Sequence, residues 1–202
     1  MSAKIDTIRN SSGQDLLVNG YPRRPGRIIE YLSSVCDGSS VNVASGTYKF
    51  QNVLTQQLLT ATTTTTYAVV NGSVINYVPP AGTTKVTYRF HFTTYWDTDH
   101  AINDYKFFID NNEVLYARHN RSGRYIEDRY TFTWTINISG TNNTNTGTLA
   151  SWTTPKTLYM MVRNYGSSND SNLHGTNYWD GGGGAGTAAN FSMPQLDIIA
   201  AA

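Results

Sequence analysis

Charge is what this chain has least of. Only 14% of its 202 residues are Asp, Glu, Lys or Arg, against about a quarter in an average soluble domain. The balance is close to neutral, at +1, so bulk electrostatics gives no pull toward nucleic acid or an anionic membrane. Cysteine is nearly missing too. Cys36 stands alone, which excludes an internal disulfide framework and leaves a small buried hydrophobe as the ordinary expectation. No apolar run approaches the roughly 18 residues of a membrane-spanning helix. No apolar stretch of the secretory kind stands at the N-terminus. No segment carries the capped i, i+3, i+4 stripe of an amphipathic helix. The Asn-x-Ser/Thr matches, such as Asn71-Gly72-Ser73, are what chance gives in a chain this rich in Asn, Ser and Thr.

What the chain has is period two. "YTFTWTINIS" puts Tyr130, Phe132, Trp134, Ile136 and Ile138 on one face and Thr131, Thr133, Thr135 and Asn137 on the other. Such alternation is a strand with one buried side. "KVTYRFHF" does the same, with Val86, Tyr88, Phe90 and Phe92 against Thr87, Arg89 and His91. "RIIEYLSSV", "YKFFID", "TLYMMVR" and "QLDIIA" are shorter versions. The punctuation between them is turn chemistry. Asn71-Gly72 between "YAVV" and "SVINYV" predicts a two-residue hairpin. Asp110-Asn111-Asn112, Pro79-Pro80-Ala81-Gly82 and "SGTNNTNTGT" predict turns or loops. The threonine run Thr62–Thr66 reads as strand end, loop and strand start. Strands at this spacing without helices between them predict an all-β fold, an antiparallel jelly-roll-like sandwich.

The N-terminal part differs in texture. Residues 1–20 read as strand, Ser-Ser-Gly turn, strand, a short N-terminal β-hairpin and attachment segment. Residues 21–27, "YPRRPGR", read as a stiff Pro/Arg linker, and residues 28–202 as the β-sandwich domain. A lone hairpin is not stable in water, so it must pack on its own domain, on copies of itself, or on a larger body.

The segment "KIDTIRNSSGQDLLVNG" resembles the N-terminal strand and turn of appendage and fibre-type structural proteins of marine bacteriophages and large algal viruses. "GRIIEYLSSV", "GTYKF", "TTTYAVVNGSVINYVPPAGTTKVTYRF" and "MPQLDIIA" follow the order of segments in their C-terminal jelly-roll-like domains. Residues 93–129 and 164–190 match nothing in that pattern. The resemblance implies a virion structural protein located in the particle, fibre-like or decorating, and usually homotrimeric. Residues 1–27 would meet other virion proteins, and the domain would project toward a host surface.

Within the unmatched stretches, Tyr95-Trp96-Asp97 recurs as Tyr178-Trp179-Asp180, and three histidines, His100, His119 and His174, fall in loop-like sequence. An indole can stack on the apolar face of a sugar while Asp, Asn and His hold its hydroxyls. These residues with Asp99 are the candidate contacts for a host-surface glycan. The plainer alternative is that each Trp plugs an end of the sandwich and each Asp caps a turn. A zinc site from His100, His119 and His174 with Asp97, Asp99 or Asp180 would need three or four ligands to converge. Asp97, Asp99 and Asn103 would suit calcium. Neither is assigned, and no metal or cofactor is expected. Asp97 or Asp99 across a cleft from Asp180 could serve a small glycan hydrolase. Glu127 and Asp128, being adjacent, point to opposite faces and cannot pair. No nucleophile elbow or phosphate loop is present: "GGGGAG" lacks the lysine. The chain is therefore expected to be non-enzymatic, with no nucleic-acid partner and no membrane insertion. Arg118, Arg121, Arg124 and Arg129 beside Glu127 and Asp128 read as a self-compensated surface or interface network. His91 faces away from Phe90 and Phe92, into water or a subunit interface. A capsid or tail decoration protein with no receptor role is the principal rival.

Overall fold

The computed structural model describes residues 26–59, 66–96, 101–123, 127–165, 171–176 and 191–202, and within the first 25 residues the backbone of three strands. Those strands, β1 (Thr7–Arg9), β2 (Asp15–Val18) and β3 (Tyr21–Pro22), form a small antiparallel sheet. The third was not expected, because Tyr21 and Pro22 had been read as connector. They pair with Val18 and Leu17 instead. An edge strand tolerates a proline, whose missing N–H need not join a ladder.

The remaining strands are β4 (Ile28–Val35), β5 (Ser40–Val43), β6 (Gly46–Lys49), β7 (Gln57–Leu59), β8 (Ala68–Val69), β9 (Ile75–Tyr77), β10 (Lys85–Trp96), β11 (Ala101–Ile109), β12 (Asn112–Glu113), β13 (His119–Gly123), β14 (Glu127–Asn137), β15 (Lys156–Asn164), β16 (Ser171–Leu173) and β17 (Gln195–Ala201). One sheet runs β4-β17-β10-β14, with β16 continuing past β17 along β10 and β7 outside β16. The other runs β15-β11 at its centre. β8 and β9 lie end to end along β15, and β12 and β13 end to end along β11. Strands β5 and β6 make a separate hairpin. All pairings between these strands are antiparallel.

Leaving aside β7, β16 and the β5–β6 hairpin, and counting each end-to-end pair in the second sheet as one interrupted strand, gives eight strands in chain order. They divide between the sheets as 1-8-3-6 and 2-7-4-5. That order is a jelly roll, so the all-β sandwich predicted from period two is the fold observed.

The core lies between the sheets and is aromatic. Val86, Tyr88, Phe90 and Phe92 of β10, with Phe132 and Ile136 of the neighbouring β14, face Tyr105 and Phe107 of β11 and Leu158, Met160 and Val162 of β15, all buried. Tyr88 and Phe107 bring their rings to 4.9 Å, and Phe107 and Phe132 to 5.3 Å. Tyr130, Trp134 and Ile138 pack on this core as the alternation predicts. Asp110, at φ 55°, and Asn111 turn β11 into β12.

The expected hairpin at Asn71-Gly72 does not form. Strands β8 and β9 both pair with β15 and run in the same direction along it. The turn between them, closed by the Ser73 N–H to the Val70 carbonyl at 3.1 Å, only interrupts the strand. Val70 N–H to Met160 O, and Met160 N–H to the Ser73 hydroxyl, carry the ladder across the gap. Asn-Gly sets a tight turn, but tertiary pairing decides what the flanking strands join. Cys36 is buried against this turn, its thiol donating to the Gly72 carbonyl at 3.3 Å. Burial, with Asp37 nearby, pushes that thiol up to about 12.

Candidate functional site

Strand β10 continues four residues past Phe92, where the sequence pattern ended. Tyr95 pairs with Glu127 on one side and Asn172 on the other, and Trp96 closes the strand opposite Ser171. The Trp96 ring is 1% exposed. Its Nε1 donates to Asn103 Oδ1 at 2.9 Å. Asn103 Nδ2 donates to Ser171 Oγ at 2.9 Å and to Asn164. Ser171 Oγ donates to Asn164 Oδ1 at 2.8 Å, and Asn164 Nδ2 to the Leu59 carbonyl at 2.7 Å. This buried chain of amides ties β10, β11, β15 and β16 together across both sheets. Trp96 is thus a plug rather than a sugar platform. Asn103 is fully buried, its oxygen accepting the indole N–H and its amide nitrogen donating to Asn164 and Ser171, so it is not presented at the surface as a calcium ligand. Asp97, Asp99, His100, Tyr178, Trp179 and Asp180 lie outside the described residues.

His174 follows β16 and is also core. It has φ 62°, no exposed surface, and ring contacts edge-on to Phe90 and Phe92 at 6.4 and 6.0 Å. Its backbone is fixed by its N–H to Thr93 O at 2.7 Å and by Ser192 N–H to its carbonyl at 2.8 Å. Among the described residues neither ring nitrogen makes a well-formed hydrogen bond, with the Asn71 backbone as a polar influence on the ring. Burial pushes its pKa down to about 4, only partly opposed by the Asn71 backbone, so the ring is neutral near pH 7. His174 is not a surface contact in this arrangement. Among the described residues no group of three or more His, Cys, Asp or Glu converges as a metal site.

His119 is different. It opens β13 and lines a groove of about 360 Å³ with Ile102, Asp104, Arg118, Asn120, Arg163 and Tyr165. Its ring stacks at 5.0 Å and 7° on Tyr105, its Nδ1 lies 3.2 Å from the Ala117 carbonyl, and burial lowers its pKa. Ordinary sheet register builds the groove. Asn120, Asp104 and Arg163 form one row across β13, β11 and β15. The next row is Ser122 and Ile102, with Tyr165 extending β15 by one rung through its N–H to the Ile102 carbonyl at 2.9 Å.

Charge around the groove is partly compensated. Arg163 Nε is 3.5 Å from Asp104 Oδ2, Tyr67 donates to the same oxygen, and Arg118 pairs with Glu113, which also takes Lys106 at 3.2 Å. Arg121 points inward, pairs with Asp128, and lies 4.3 Å over the Tyr130 ring. Two of the four arginines read as self-compensating therefore have carboxylate partners.

The sequence reading missed Arg163, Tyr165 and Asn120 as neighbours of His119. The available signal was period two: Ile102 and Asp104 on "INDYKF", and Arg163 and Tyr165 on "MVRNY", alternate with buried residues. It says they face outward but not that the two strands are adjacent. His91, also on an outward face, bridges Asp197 Oδ2 at 3.1 Å and Thr131 Oγ1 at 2.8 Å, and Ser33 Oγ donates to Asp197 Oδ1 at 2.6 Å. These hydrogen bonds hold the Asp197 carboxyl below the usual range against the opposing effect of burial.

No protein-family model matches the chain, and no curated protein matches it. A chain in the structure of infectious bursal disease virus, Gx strain, matches with a TM-score of 0.38 and 9% identity, over 98% of this chain and 42% of that one. The chain thus spans less than half the length of that protein. The jelly-roll assignment rests on the strand order given above.

Proposed function

We propose that this chain is a non-enzymatic structural protein of a virus particle, fibre- or appendage-like and homotrimeric, that presents its jelly-roll domain to host-surface glycan. Residues 1–27 dock it on other virion proteins. The observation that carries the reading is a jelly roll with a groove of planar hydrogen-bonding groups and a bare tyrosine on its outward face. Tyr165 is 76% exposed. Planar polar groups beside an exposed ring suit a sugar, and a fold alone does not assign the task. The sequence resemblance supplies the virion context. Weak sugar contacts repeated by symmetry add up to useful avidity, and the binding is reversible, with no cofactor. A glycan array probed with the purified protein tests it: binding supports attachment, and silence across the array removes it.

The decoration reading has an observation of its own. Strand β4 is an edge strand paired with β17, and it exposes Ile28, Tyr31 and Val35 at 59%, 53% and 42%. An apolar edge is a subunit contact more readily than a free surface. Loss of particle stability on deletion, with array silence, favours that reading.

A further inference from the structure

We propose that the groove between β11, β13 and β15 is a carboxylate subsite that takes one acidic sugar unit of the glycan, a uronate or comparable sugar acid. The proposal rests on the attachment reading and names its ligand class. The groove's volume, about 360 Å³, lies at the lower end of the roughly 300–1,000 Å³ of small-ligand sites. Its lining includes the apolar Ile102 and the Tyr165 ring, 76% exposed, which suits a sugar's apolar face.

The charge on the groove is what selects an acid. Among the described residues, Lys106, Arg118 and Arg163 pair with Asp104 and Glu113 in and beside the groove, three cations against two anions, so one positive charge is in excess. Burial lowers the pKa of His119, which disfavours a further positive charge there. Arg163 Nε is shielded from water and meets Asp104 Oδ2 only at a long 3.5 Å, an oxygen that also accepts from Tyr67. The side chain is 39% exposed with Nε shielded, so its terminal nitrogens are the ones presented to an acceptor in the groove. Arg118 spends Nε on Glu113, and its terminal nitrogens have no partner among the described residues. A planar carboxylate suits such forks, and a neutral sugar would leave the excess charge unused. Asn120 and Asp104, level with Arg163 in the sheet, are within the same row for the sugar's hydroxyls.

The test titrates the full chain with methyl glucuronide, N-acetylneuraminate, methyl glucoside and methyl glucoside 6-sulfate, by calorimetry and by chemical-shift perturbation. One of the two carboxylates should bind at least about tenfold tighter than the glucoside, the loss expected for a charge-assisted hydrogen bond. Arg163→Gln, which removes the excess charge, should erase that preference while the melting transition stays cooperative. Tyr165→Ala, at an exposed position where folding is not at stake, should weaken every sugar and leave the acid preference in place. Glucoside binding as tight as the better of the two acids, a sulfate ester preferred to both carboxylates, or an acid preference indifferent to Arg163→Gln would each overturn the proposal. Acid binding that depends on Arg163, with a silent glycan array, keeps the subsite and removes the attachment role. Array binding confined to neutral glycans and untouched by Arg163→Gln does the reverse.

Discussion

A methyl group at position 72 would have nowhere to go. Gly72 has φ +85°, and a Cβ there would stand 2.9 Å from Pro194 Cγ, 3.1 Å from Cys36 Sγ and 3.2 Å from Val53 Cγ2. Backbone strain and overpacking act together, so Gly72→Ala should cost roughly 2–4 kcal/mol, read as a lower urea midpoint. Cys36, beneath it, should resist a thiol reagent in native buffer and react once the chain is unfolded. His174 makes stability depend on pH. Its folded pKa of about 4 lies below its ordinary value of 6.5, so between those two the unfolded chain takes up a proton that the folded chain refuses. Stability is full above about 6.5 and falls as pH drops toward 4, by up to about 3 kcal/mol. His119, lowered in the same direction by burial, adds to the trend. Depressed carboxylates such as Glu113 and Asp197 lose their contribution only at lower pH, as they protonate. Urea titrations at pH 7.5, 5.5 and 4.5 should show the decline. His174→Asn, which tolerates a positive φ, should flatten it, and an unchanged slope in that variant would assign the effect elsewhere.

Elements were the most legible level of this sequence. The period-two runs of β10, β14 and β15 are strands because one face of each carries apolar or aromatic residues that only burial satisfies. Partnership was less legible. Asn71-Gly72 has hairpin chemistry, yet β8 and β9 each find β15, since a turn fixes local geometry and long-range packing chooses the neighbour. Of the candidate site, His119 was readable as an unusual polar position, while Arg163 and Tyr165 join it only through a β11–β15 register spanning some sixty residues of chain. Trp96 looked like loop because Asp and Thr follow it. It is core because Asn103, Asn164 and Ser171 give its N–H a buried acceptor network. That network makes a prediction at its own scale. Asn103→Ala leaves the Trp96 N–H, Ser171 and Asn164 short of partners and should destabilise the domain by roughly 2–4 kcal/mol. The exposed Thr133→Ala on β14 should stay within about 0.5 kcal/mol. Equal effects in thermal melts would show that the amide chain does not join the sheets.

At the scale of the molecule, the sheets of the described residues do not close. A jelly roll pairs most of its strands but leaves edges, and an edge with unpaired backbone groups recruits another chain unless something blunts it. Charge would be the usual guard, and this chain has little of it. On β4 the outward positions are Tyr31, Ser33 and Val35, with Ile28 at the strand's start, and Glu30 is turned inward to hold Ser45 and Tyr77. The edge therefore carries apolar surface and hydrogen-bonding capacity in the same place, which suits a subunit interface. If the homotrimer forms through this edge, light scattering on the intact chain should give three times the chain mass. Tyr31→Lys together with Val35→Lys should shift that to the monomer. Both side chains point out of the core, so far-UV circular dichroism and the melting cooperativity should persist. A trimer indifferent to both lysines would move the contact to another surface, and a wild-type monomer at micromolar concentration would remove the trimer altogether.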